Sequence, residues 1–198
     1  MNRIIDKYHI LNNKKIKNLL SLLVTLIMLV YNEIVGLYLN SIWNMTIAIY
    51  FFFLLINRIV LYKANNENKK LKIIVSISLL IESLFLIGPI IIMLIDKKVI
   101  NFSTIFAITM ATYTTYKIVI AIINFINNKK AKDKSLKYTI NLIDAIVSIL
   151  NLQYALIHVF SDNIQEMKAL MVISSILFYV LILIIVIKQL KETMKKPI

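Results

Sequence analysis

Six long apolar runs constrain this chain more than any other feature of its sequence. Each run has the length of about 17–25 residues that an α-helix needs to cross a hydrocarbon core, the fourth being somewhat longer. Because unpaired backbone groups are not tolerated in lipid, each run is predicted to be a helix. The runs are Leu19–Leu39, Ile42–Tyr62, Leu71–Ile95, Val99–Ile126, Tyr138–Phe160 and Ala169–Ile187. The predicted fold is an all-α membrane protein, a six-transmembrane-helix bundle.

The short gaps between the runs predict one membrane domain, residues 19–190. A basic segment, 1–18, precedes it, as a solvated tail or a short interfacial helix, and a short tail, 191–198, follows it. Hydrophobic residues make up 60% of the 198 residues, against about 45–50% in a soluble domain. The gap at Asn40–Ser41 predicts a tight antiparallel hairpin of the first two helices. Gly88-Pro89 predicts a kink near the outer end of the third.

The net charge of +13 would suggest nucleic acid in a soluble protein, but the positions of the charges indicate topology instead. Eighteen basic residues fall in the two terminal segments and in the second and fourth connections, and three in the alternate connections. This distribution predicts that both termini are cytoplasmic. Anionic lipid headgroups are the partners that the basic side would attract, with no role for nucleic acid. The richness in Ile, Lys and Asn is typical of an AT-rich genome, and we expect the cell membrane of a bacterium.

The fifth run carries a polar stripe on an otherwise lipid-like helix. Steps of three and four place its polar or small residues on one face, which is expected to lie toward the bundle interior or a water-filled path. These residues are Asn141, Asp144, Ser148, Asn151, Ala155 and His158. The fourth run has a stripe of its own, formed by Met110, Tyr113, Lys117, Ala121 and Asn124.

Five ionisable residues besides His158 fall inside the predicted spans: Glu33, Arg58, Glu82, Lys117 and Asp144. A charge at the bilayer centre costs about 2.5–3.5 kcal/mol, so unpaired placement toward lipid is disfavoured. We predict a contact between Lys117 and Asp144, with Glu82 as the alternative partner of Lys117. Arg58, four residues from the cytoplasmic end of its helix, is expected to snorkel to the interface. A buried pair of this kind either fixes helix register or serves transport or a proton relay.

The candidate transport residues are therefore polar groups within the spans. They are Asp144, Lys117, Glu82, Ser148, Asn151, Asn141, Asn124, His158 and Glu33. His158, near the outer end of its helix, is either a proton acceptor or a headgroup-level polar residue. Trp43, with Tyr38 and Tyr50, is predicted to belong to the outer aromatic belt.

No motif for enzymatic chemistry accompanies these residues. The chain contains no HExxH, GxSxG, phosphate-binding loop or dinucleotide fingerprint. It has no cysteine and only two histidines, which excludes thiolate chemistry. We therefore expect neither an enzyme nor a resident cofactor or metal.

Two stretches resemble the cation diffusion facilitators, six-helix transporters that exchange divalent metal for protons. Residues 117–150 read KIVIAIINFINNKKAKDKSLKYTINLIDAIVSIL, in which Asp144 with Ala145 and Ser148 resembles the second acid of the family's metal motif. Residues 36–53, GLYLNSIWNMTIAIYFFF, resemble its turn from the first into the second helix. Non-ligating residues replace the other metal ligands: Ile140, Ile47, Tyr50 and Leu54. The resemblance implies a transporter scaffold that has lost metal binding and lacks the family's C-terminal domain. The Lys117 ammonium would then lie where a metal once bound.

Three functions follow from these features. The first is a transporter-like protein for an unidentified small solute or cation. The second is an accessory membrane protein that binds partner subunits or a second copy of itself. The third is the substrate-binding subunit of an energy-coupling vitamin transporter, disfavoured because residues 19–39 contain no alanine for docking. A continuous polar cavity along the fifth helix would favour transport, and a closed, dry bundle would favour the accessory function.

Overall fold

The computed structural model describes residues 2–63, 69–95, 102–128, 136–160 and 164–195, and these form α-helices without any strand. The helices are α1 (Asn2–Leu39), α2 (Ile42–Lys63), α3 (Lys69–Phe85), α4 (Ile87–Ile95), α5 (Thr104–Asn128), α6 (Leu136–Phe160) and α7 (Ile164–Lys195). The predicted all-helical architecture is confirmed. Several basic residues that underlie the topology prediction lie outside the described residues: Lys97, Lys98, Lys129, Lys130, Lys132, Lys134 and Lys196.

Six stretches of these helices are long and apolar enough to cross a membrane, as in a multi-pass integral membrane protein. They are Asn18–Tyr38, Ile42–Tyr62, Lys70–Ile91, Thr104–Ile126, Leu136–Phe160 and Ala169–Met194. The third stretch is shared by α3 and α4. Large apolar side chains cover the outer surface of the bundle, which is how a surface in contact with lipid tails is built. The orientation of the termini stays a prediction.

Helix α1 is longer than its membrane stretch. It runs without a break from Asn2 to Leu39, so the backbone of residues 2–18 continues the first span as helix. Helix α7 likewise continues to Lys195, beyond the apolar run that ends at Ile187.

The predicted hairpin of α1 and α2 is confirmed, and its turn is closed by helix capping at both ends. Asn40 has a φ of 48°, the left-handed conformation typical of the residue after a helix. The Ser41 amide donates to the Gly36 carbonyl at 2.9 Å and the Asn40 amide to the Leu37 carbonyl at 3.4 Å, a Schellman pattern. The Ser41 hydroxyl then accepts from the backbone amide of Asn44 at 3.3 Å, so Ser41 caps the start of α2.

The predicted kink of the third span is present as a break at Leu86, between α3 and α4. Pro89 lacks an amide hydrogen, and in a continuous helix its ring would clash with the carbonyl four residues earlier, that of Phe85. The helix therefore ends there. The Leu86 amide donates to the Ser83 carbonyl at 3.3 Å instead, in a tighter turn.

Helix α6 is the central element of the bundle. It packs on α5 and α7 and also contacts α2 and α3. Of 18 consecutive residues in its membrane stretch 67% are buried, against 22% in the first and last stretches. The stripe predicted to face inward therefore lies at the middle of the protein.

Candidate functional site: a charge cluster at Asp144

Asp144 of α6 lies fully buried at the point where side chains from three helices meet. Its Oδ2 atom accepts from the Arg58 guanidinium of α2 at 2.8 Å and from the Lys117 ammonium of α5 at 2.5 Å. Its Oδ1 atom accepts from the Tyr113 hydroxyl at 2.9 Å. The predicted contact between Lys117 and Asp144 is confirmed. The Asp144 carboxylate thus accepts hydrogen bonds from two cations and one phenol.

Helical spacing explains how α5 and α6 present these groups to one another. Tyr113 and Lys117 are four residues apart, and Asn141 and Asp144 are three apart, so each pair shares a helix face. Because α5 and α6 pack closely together, the two faces meet. The Lys117 ammonium also lies 5.0 Å from the centre of the Tyr113 ring, a cation–π distance.

The snorkelling predicted for Arg58 is wrong, because its guanidinium turns inward. Arg58 is 8% exposed. One terminal nitrogen donates to Asp144 and also to the Asn141 side-chain oxygen at 3.1 Å, and the other donates to the Ser21 hydroxyl of α1. A guanidinium has five donors in a planar fork, and this core provides a carboxylate, an amide and a hydroxyl as acceptors. We call Arg58, Tyr113, Lys117, Asn141 and Asp144 the charge cluster.

Glu82 of α3 is the second acid of the core, and it has a poorer set of partners. It is 2% exposed. Its Oε2 atom accepts from the Asn57 side-chain amide of α2 at 2.9 Å, while its Oε1 atom is buried without a hydrogen-bond partner. Lys117 therefore pairs with Asp144 and not with its alternative partner.

Asn151, two turns along α6 from Asp144, belongs to a separate group of uncharged side chains. Its side-chain oxygen accepts from the Trp43 indole nitrogen at 3.0 Å. Its amide nitrogen lies 3.4 Å from the Asn32 oxygen and 3.2 Å from the Met110 sulfur. These four residues, which join α1, α2, α5 and α6, form what we call the amide network. Asn151 thus cross-links helices and does not line a water-filled path.

The placement predicted for Trp43 in a lipid-facing aromatic belt is wrong. Trp43 is 3% exposed and Tyr50 2%, whereas Tyr38 is 85% exposed. The Trp43 ring stacks on Tyr154 of α6 at 4.4 Å between centroids. An indole that is buried this way needs an acceptor for its N–H group, and Asn151 provides one.

The remaining predicted residues differ in their surroundings. The Ser148 hydroxyl is buried and donates to the Ala145 carbonyl at 2.8 Å. His158 is half-buried, with its ring 4.4 Å from that of Tyr154. Asn124 is half-buried and Glu33 is exposed. The structure thus unites three predicted residues, Asn141, Lys117 and Asp144, and leaves His158 about 21 Å along α6 from Asp144 at the helical rise per residue.

The residues predicted to line a polar path are packed against their neighbours. The exposed fraction is 0% for Asp144, 1% for Ser148 and Asn151, and 2% for Lys117. A side chain with so little accessible surface has no room for water beside it. Within the described ranges, no group of three or more His, Asp or Glu side chains is arranged to hold a metal ion. The bundle is closed and dry along this stripe.

No family model, curated protein or solved structure matches this chain. The resemblance of residues 36–53 and 117–150 to the cation diffusion facilitators stays a prediction from those residues. The geometry at Asp144 is nevertheless informative about the chemistry of this core.

Proposed function

We propose that this membrane protein is transporter-like, and that the charge cluster couples movement of a small solute or cation to a change of partners at Asp144. The observation that carries the proposal is the fully buried Asp144 carboxylate held by two cations at 2.8 and 2.5 Å. Ionisable groups at membrane depth are costly, and they mark substrate paths and proton relays in transporters and pumps.

The balance of charge favours a function over a purely structural pair. A register-fixing ion pair needs one base and one acid, and an apolar replacement is often as stable. Here Arg58 and Lys117 share one acid, which leaves a surplus positive charge in the cluster. A surplus that costs folding energy is best explained by a step in which the partners of Asp144 change.

The closed packing fits one conformation of an alternating-access cycle. In such a cycle a site near the midplane opens to each side in turn. Opening would separate Asp144 from Lys117 or Arg58 and free the carboxylate for a cation. This extends the hypothesis drawn from the family resemblance, in which the ammonium of Lys117 takes the place of a metal ion.

The dry stripe along α6 favours a second candidate, an accessory membrane protein that binds partner subunits. In that function the charge cluster and the amide network hold the helices in register. The near-zero exposed fractions of Ser148 and Asn151 support this alternative.

Flux measurements on proteoliposomes distinguish the two. Wild-type protein is tested against a panel of monovalent and divalent cations, beside Asp144→Asn, Lys117→Met and the double variant. We expect flux in the wild type, loss in both single variants and no recovery in the double variant. Glu33→Gln, which changes an exposed acid outside the cluster, is the matched control and should keep its flux.

Two results would contradict the proposal. Near-normal flux in the Lys117→Met/Asp144→Asn double variant would show that the ion pair is structural. Absence of flux in the wild type for every cation of the panel would favour the accessory function.

A further inference from the structure

The two buried acids of the core differ in their hydrogen-bond partners. Asp144 accepts from the Arg58 guanidinium, the Lys117 ammonium and the Tyr113 hydroxyl. Glu82, which is also buried, accepts from a single donor, the side-chain amide of Asn57. No cation contacts Glu82 in the part of the chain that the structure describes.

Four buried polar atoms without a hydrogen-bond partner lie on the two helices that meet at Glu82. They are the Oε1 atom of Glu82 on α3, and the Nδ2 atom of Asn44, the hydroxyl of Tyr50 and the Nε atom of Arg58 on α2. Tyr50 and Asn57 are two turns apart on one face of α2, and this face holds Asn57 against Glu82. Arg58 follows Asn57 directly on α2, so the residue that contacts Asp144 and the residue that contacts Glu82 are neighbours in the chain.

Among the described residues, the other helices around Glu82 add no buried cation that lacks a partner. Helix α7 also packs on α3, and the Ser76–Thr193 hydroxyl contact at 3.4 Å sets its antiparallel register. That register brings Ile187 to the depth of Glu82, between the buried, apolar Val186 and the exposed Lys188. From α5 and α6 come Tyr113, Lys117 and Asp144, and these three are bound to one another. Among the described residues, Arg58 is the buried cation on α2, the helix that already contacts Glu82 through Asn57.

We propose that Glu82 carries a proton in this conformation and is the site at which the core takes up and releases protons. A carboxylate with one amide donor in an apolar interior is strongly disfavoured, whereas a neutral carboxylic acid is not. When the bundle opens and water reaches Glu82, its O–H bond breaks and the proton passes to that water, and the new carboxylate draws the Arg58 guanidinium away from Asp144. Lys117 then remains on Asp144, so each acid has one cation.

This exchange makes the proton the coupled ion of the transport cycle, and in that respect it rests on the proposed function. Over Arg58, Lys117, Asp144 and Glu82 together, the net charge is +1 when Glu82 is protonated. It is zero when Glu82 is deprotonated. Protonation of Glu82 itself is measurable without any flux.

Infrared spectroscopy of the full chain in lipid vesicles at neutral pH tests the inference. A protonated carboxylic acid has a carbonyl stretch that is separate from the bands of carboxylates and amides and that shifts in heavy water. We expect this band in the wild type, its loss in Glu82→Gln and its retention in Glu33→Gln. Asp144→Asn should also abolish it, because Arg58 and Lys117 then lose their acid and Glu82 ionises beside them.

Isotopically labelled glutamate assigns the band to a glutamate without any mutation, which covers the case of a Glu82→Gln variant that does not fold. Absence of the band in the wild type, or its persistence in Glu82→Gln, would overturn the proposal that Glu82 carries a proton. Persistence in Asp144→Asn would overturn the exchange of Arg58. A band that follows Glu82 in a protein without flux would leave this inference intact and remove the transport function instead.

Discussion

The charge cluster around Asp144 and the amide network around Asn151 are both buried and both held on α6, yet their chemistry differs. In the amide network the Trp43 donor has an acceptor on Asn151, and no group is charged. In the charge cluster two bases share one acid, and the Arg58 Nε atom has no partner. The first arrangement satisfies its groups in a single conformation, whereas the second is left with charge to redistribute.

This difference separates two uses of polar side chains inside a membrane. Neutral hydrogen bonds between membrane helices are worth about 0.6 kcal/mol on average, which suits cohesion. Removing one partner of a buried ion pair costs about 3–5 kcal/mol, because a charge is left uncompensated. Substitutions in the two regions should therefore differ in size and in how they combine.

The largest effect is expected from Asp144→Asn. This change keeps the side-chain shape but removes the acid that Arg58 and Lys117 both contact, so the two cations keep at most the single Glu82 carboxylate and the free energy of unfolding should fall by about 3–5 kcal/mol. Reversible unfolding in mixed detergent micelles measures it. A loss no larger than that of an Asn151 variant would remove the distinction between the two regions.

Lys117→Met should have a smaller effect, about 2 kcal/mol, the value of a hydrogen bond to a charged group. Asp144 keeps the Arg58 guanidinium and the Tyr113 hydroxyl in this variant. In an Asp144→Asn background the same change should stabilise the protein, since it removes an uncompensated cation. Unfolding of the two single variants and the double variant gives the coupling energy, and strictly additive losses would argue against a shared cluster.

The sequence predicted the contact between α5 and α6 because two polar stripes lie on consecutive helices joined as neighbours. Lys117 and Asp144 each stand on such a stripe, so their faces were expected to meet. The hairpin at Asn40 and the break near Pro89 were predictable for a similar reason, since both depend on local backbone chemistry.

The direction of Arg58 and Trp43 was not predictable in the same way. Their depth along α2 follows from the sequence, but depth does not say which face of a helix is turned inward. Helix α2 is apolar on nearly all sides, and between membrane helices a lipid-facing Leu and a protein-facing Leu are chemically alike. Only the packing of α2 against α1, α3 and α6 turns both side chains toward the core. The spacing of Tyr50, Asn57 and Arg58 is a weak signal of that face.

Asn151→Leu tests the amide network at its centre. The variant keeps the bulk of the side chain but leaves the Trp43 N–H buried without its acceptor, which should cost about 1 kcal/mol. Trp43 fluorescence should report the change in its surroundings. Since no charge is involved, proton and cation flux should stay close to that of the wild type. A loss of flux as complete as that of Asp144→Asn would join the two regions into one functional path.

Asn32→Leu should have the smallest effect, about 0.6 kcal/mol or less, the average for a neutral hydrogen bond between membrane helices. The Asn32 oxygen lies 3.4 Å from the Asn151 amide, a long contact, and that amide still has the Met110 sulfur at 3.2 Å. The second bond of Asn32, to the Met28 carbonyl, is within its own helix. The same unfolding assay measures the variant beside Asn151→Leu. If Asn32→Leu were as harmful as Lys117→Met, neutral contacts in this core would be as strong as charged ones, and the argument for a surplus of charge at Asp144 would lose its basis.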